Sequence, residues 1–121
     1  MERSYLTTMS LLIIHQIDAA FWHEWEMFLL PGGIQGYLLF NVLVIPVVLL
    51  GYKSVVQSDS MAPRYAYFCA VLGTATFVIH SGFFLFDYEQ FTLPLSLIVI
   101  LMCLISSIWL IVEIKKASRG E

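Results

Sequence analysis

The chain has 121 residues and a formal charge of −3; 60% of its residues are hydrophobic and only 12% are charged. Soluble domains carry about 25% charged residues. The composition therefore excludes an ordinary water-soluble fold and implies an all-α integral membrane protein of one domain's length, with the lipid bilayer as its main partner. No basic patch with interleaved aromatics is present, so nucleic acid is not an expected partner.

Apolar segments run from Tyr5 to Leu30, Ile34 to Tyr52, Tyr65 to Phe86 and Leu93 to Ile114. A hydrocarbon core about 30 Å thick needs about 20 helical residues, so each segment is expected to span it. The prediction is a single domain over residues 1–121, folded as a four-transmembrane-helix bundle. The opening apolar run resembles a signal peptide, but His15 and Asp18 interrupt it and no A-x-A-like site follows, so it is expected to be retained.

Pro31-Gly32-Gly33 is expected to stop the first helix and start a tight hairpin. Gly32 and Gly36 have the spacing of a close-packing motif, but they straddle this turn and read mainly as turn residues. Pro46 is expected to kink the second helix. Lys53 to Arg64 reads as the longest link and the most mobile, with Pro63 in the first turn of the third helix. Asp87 to Thr92 joins the last two helices, with Thr92 as cap and Pro94 in the first turn. The tail from Lys115 is expected to fray. Cys69 and Cys103 lie inside apolar runs and read as small hydrophobes.

Orientation follows from the basic residues. Arg3, Lys53, Arg64, Lys115, Lys116 and Arg119 all fall on one side, which the positive-inside rule makes cytoplasmic, so both termini are expected there in a cell membrane. The opposite side carries Asp18, Glu24, Glu26, Asp87 and Glu89 with no lysine or arginine.

Polar chemistry concentrates between His15 and Glu26. On a helix advancing about 100° per residue, Thr8, Leu11, His15, Asp18, Trp22 and Glu26 share one stripe; His23 lies roughly 80° away and Glu24 points to the opposite side. On the third helix Cys69, Gly73, Thr76, His80, Phe84 and Asp87 form a second stripe, small and polar along its middle. His80 and Asn41 each lie about 10 Å below the outer helix ends, near the level of Trp22 and His23. The two stripes are therefore expected to face each other.

Three readings of this layer stay open. His15, Asp18 and His80, completed by His23 or Glu26, make a ligand set for zinc, iron or manganese, with Trp22, Asn41 and Asp87 in support. The same groups can instead form a hydrogen-bonded network that fixes helix register, or handle protons. Trp22, Trp25, Phe21, Phe28, Phe83, Phe84 and Tyr88 read as an aromatic belt at the outer boundary, where Glu24 and Glu26 would be solvated charges. A non-catalytic protein is expected ahead of a metal-dependent membrane enzyme. Behind these two stand an ion- or proton-conducting protein, a homo-oligomer and an accessory subunit of a larger membrane complex.

The run from His15 through Asp18-Ala19, Trp22 and Glu24-Trp25-Glu26, followed by Leu30 to Gly36, His80 and Phe91 to Ser96, resembles a family of small four-helix bacterial membrane proteins of unknown function. It is also loosely similar to HXXEE-type membrane proteins, with Asp18-Ala19 standing where that pattern has two glutamates. The resemblance implies the four-helix fold and a bacterial inner-membrane location, and it implies no activity.

Overall fold

Apolar helical segments separated by Gly, Pro and Ser/Asp breaks leave the chain little choice but to pair helices through short turns. The computed structural model describes residues 1–87, 89 and 91–121, so Tyr88 of the expected aromatic belt lies outside the described residues. Among the described residues there are five helices and no strand: α1 (Glu2–Phe21), α2 (Glu24–Met27), α3 (Gly33–Gln57), α4 (Ala62–Leu85) and α5 (Pro94–Ser118).

The helix expected from Tyr5 to Leu30 is divided. α1 ends at Phe21, His23 takes a left-handed conformation (φ 54°, ψ 52°), and α2 is a single turn. Leu29 is also left-handed (φ 54°). Such a conformation costs roughly 1–2 kcal/mol in a residue with a Cβ, so the surrounding contacts must favour the break. They do: Trp25 packs on Tyr37 of α3 and Phe28 on Phe83 of α4, and Glu24 becomes buried.

The link expected over Lys53–Arg64 is also much shorter. α3 continues to Gln57 and α4 starts at Ala62, leaving residues 58–61 as the turn. Ser58 closes α3 in a left-handed conformation (φ 52°), and the Asp59 carboxylate accepts hydrogen bonds from the Ser54 hydroxyl and from the Met61 amide, the latter at 2.8 Å. These contacts pull the Asp59 carboxyl below its ordinary range, the Ser54 hydroxyl contributing most. At α5 the cap is Leu93 rather than Thr92, whose hydroxyl donates to the Glu89 carbonyl at 2.8 Å. The tail stays helical to Ser118.

α1 packs against α3, α4 and α5, while α4 packs against α3 and α5. The four long helices therefore run round in the order α1, α3, α4, α5, with α1 and α4 meeting across the short diagonal. Small residues permit this approach. A Cβ on Gly73 of α4 would run into the Ser107 hydroxyl and lie 3.1 Å from the Cys103 carbonyl of α5. Ser107 is fixed there by donating to that same carbonyl at 2.6 Å. Cys69 and Cys103 are free and buried in this seam. Tyr5 closes the other side by donating to the Val48 carbonyl at 2.7 Å.

α3, α4 and α5 are each long and apolar enough to cross a membrane. Their outer faces are apolar, with Leu39, Val42, Leu43, Val71, Val78 and Leu95 all more than half exposed. That is far more exposed apolar surface than a soluble monomer tolerates. α1 is of similar length, but His15, Gln16 and Asp18 keep it outside this apolar set.

Candidate metal centre

The second polar stripe points inward for most of its length. Cys69, Gly73 and His80 are buried, whereas Phe84 and Asp87 at its end are exposed. His80 thereby meets His15 of α1, with ring centroids 4.7 Å apart and the rings edge to face. The third member comes from α2. Glu24 Oε1 lies 3.0 Å from His80 Nε2 and 3.7 Å from His15 Nε2. His15, Glu24 and His80 are 3%, 8% and 5% exposed, and one ligand atom from each falls within 4.8 Å of the other two.

This spacing suits a metal. Two donors about 2.0–2.1 Å from a tetrahedral zinc lie roughly 3.3–3.4 Å from each other. The 3.0 Å and 3.7 Å separations bracket that value, so the Glu24 carboxylate stands near donor-to-donor distance from both imidazoles. Two imidazoles and one carboxylate also form the ligand set of open zinc sites, which keep a fourth position for water or a ligand. Electrostatics favours a cation as well, because a carboxylate at low exposure needs compensation. The lysines and arginines lie elsewhere, at both chain ends and around the 58–61 turn.

Phe91 holds the imidazoles in place. It is 3% exposed and left-handed (φ 62°), stacks on His15 at 5.4 Å and contacts His80 at 4.3 Å. Nδ1 of His15 and Nδ1 of His80 have no hydrogen-bond partner among the described residues. Ring orientation thus comes from aromatic packing rather than from the second hydrogen bond that usually orients a metal-bound histidine. Beside the triad lies a cavity of about 400 Å³, walled by α1, α2, α3 and α4.

The family comparison covers nearly the whole of this architecture, matching residues 1–117. The chain belongs to DUF6713, a family of unknown function. No curated protein and no solved structure matches it.

Of the residues singled out in this DUF6713 chain from sequence, His15 and His80 come together. The remaining ones stand apart. Asp18 accepts a hydrogen bond from the Trp22 indole at 3.0 Å, and its second oxygen is buried without a partner among the described residues. His23 and Glu26 face each other at 3.8 Å on the exposed side of α2. Asn41 donates to the Tyr37 carbonyl of its own helix at 2.9 Å. Asp87 is exposed with φ 61°.

Glu24 is the residue that sequence reasoning assigns to the solvated rim. On an unbroken helix it stands nine positions after His15, half a turn away from the His15 stripe. Only the left-handed residue at His23 turns it underneath. The available signal was chemical: Glu24 lies between Trp22 and Trp25, in a stretch with no apolar periodicity.

Proposed function

We propose that this DUF6713 chain is a metal-binding integral membrane protein in which α1, α3, α4 and α5 all span the bilayer, with both termini cytoplasmic. His15, Glu24 and His80 would hold one divalent cation near the outer face. Zinc fits the ligand set best, and iron and manganese fit the same donors. The observation that carries this reading is the convergence of two imidazoles and a carboxylate within 4.8 Å in a buried position. His15 lies six residues from the end of α1 and His80 five from the end of α4, about 8–9 Å inside the helix ends.

The open fourth position beside a cavity also supports a second reading, a metal-dependent enzyme. There the cation would lower the pKa of a bound water so that it can act as a nucleophile near neutral pH.

Elemental mass spectrometry on purified protein tests the proposal, with wild type measured beside a His15→Ala, His80→Ala double variant. About one metal ion per chain in the wild type and none in the variant is expected. Background metal in both, from protein supplied with zinc, would overturn it.

A further inference from the structure

The cavity beside the triad is strongly asymmetric. Its end near α2 carries His15, Glu24 and His80, with Tyr37 close by; the remainder is walled by residues such as Leu12, Val48 and Leu72. Along α3 the lining runs from Tyr37 to Val48, about 16 Å of helix at 1.5 Å per residue. Its volume of about 400 Å³ lies within the range of about 300–1,000 Å³ of small-molecule sites. Phe40 of α3 and Ile79 of α4 line it and are 43% and 39% exposed, so it opens between these helices onto the apolar outer surface. The result is a mainly apolar cavity, reachable from the side, with its histidines and carboxylate at one end.

Charge selects the head group. A divalent cation held by one carboxylate and two neutral imidazoles leaves one net positive charge, and among the described residues of the lining Glu24 is the only acidic or basic one besides the histidines. In such a low-dielectric setting the ligand in the fourth position should supply one negative charge. We infer that the cavity binds a single-chain lipid carboxylate, its chain lying along α3 and α4 and its carboxylate completing the coordination of the metal at His15, Glu24 and His80. This inference rests on the metal reading above. A cationic amphiphile of the same length would meet like charge at the polar end, and an alkane would leave the fourth position to water.

The test uses the full chain in lipid nanodiscs, zinc-loaded or stripped, titrated with dodecanoate and with dodecylamine. Zinc-loaded protein is expected to bind dodecanoate at one per chain, with at least tenfold weaker binding after stripping and no saturable binding of dodecylamine. Ala75→Leu and Val44→Phe both narrow the cavity away from the metal. Each should keep the zinc stoichiometry while weakening dodecanoate at least tenfold. Normal zinc loading without dodecanoate binding would overturn this inference and leave the metal site standing. Failure to load zinc would overturn the metal reading itself. Dodecanoate binding that is equally tight with and without zinc would remove the carboxylate from the metal. If either variant does not fold, the comparison of loaded and stripped wild type still decides.

Discussion

Glu24→Gln separates a metal ligand from a structural ion pair, because the two roles predict opposite behaviour without metal. The substitution preserves shape and removes one charge from a residue that is 8% exposed and whose carboxylate lies 3.0 Å from His80. In the stripped protein, the glutamine amide keeps a polar atom beside both imidazoles and removes the buried carboxylate. Exchanging carboxylate for carboxamide changes the hydrogen-bond partner of His80 without opening a cavity, a difference of about 0.5–1.5 kcal/mol. Metal-free Glu24→Gln should therefore match metal-free wild type to within about 1.5 kcal/mol. Zinc behaves differently. Loss of an outer partner alone lowers metal affinity about 10–100-fold, so loss of a direct ligand should cost at least 100-fold. With zinc held at 100 times the wild-type Kd, wild type gains about 2.7 kcal/mol and the variant about 0.4 kcal/mol. Reversible unfolding in mixed micelles, with and without zinc, reads this difference of about 2.3 kcal/mol. A metal-free variant that loses about 3–5 kcal/mol, as a broken buried ion pair does, would refute the reasoning. Equal zinc stabilisation of both proteins would do the same.

Phe91→Ala should destabilise the fold by about 3–5 kcal/mol through the cavity it leaves, and should weaken zinc about tenfold by releasing the two imidazoles; unfolding and metal titration check both, and unchanged zinc affinity would mean that Phe91 does not orient the rings. Gly73→Ala should cost about 1–3 kcal/mol, because its Cβ meets Ser107 and the α5 backbone. Adding Ser107→Ala should recover part of that loss in a double-variant cycle, and strict additivity would contradict the proposed clash. The Asp59 carboxyl is held below its ordinary value, so its contribution to stability is fully present above about pH 4 and is lost as pH falls through the lower folded value. Asp59→Asn should flatten stability against pH in that acid window and leave neutral-pH metal binding untouched. An unchanged acid profile would show that the Ser54 and Met61 contacts do not stabilise the turn.

Sequence reasoning reached the helical class because hydropathy alone identifies long apolar runs, and three of these are long apolar helices here. It stopped short at their ends. Lys53 and Ser54 look like loop residues, yet α3 carries them for one more turn because Ser54 is buried against Asp59. The two histidines were legible as members of inward stripes, since helical spacing relates them to Thr8 and Gly73. Glu24 was not, because its position depends on one left-handed residue, His23, that no periodicity marks. Phe91 was hidden for the same reason: it lies in a connector, and its role comes from a positive φ and from tertiary packing on His15 and His80.

X-ray absorption at the zinc edge of the loaded wild-type protein tests the central claim most directly. A zinc ion at His15, Glu24 and His80 gives a shell of nitrogen and oxygen donors at about 2.0–2.1 Å, with the multiple scattering of two imidazoles, and that signature is lost in the His15→Ala, His80→Ala variant. A shell without imidazole scattering, or one dominated by sulfur at about 2.3 Å from Cys69 and Cys103, would contradict it.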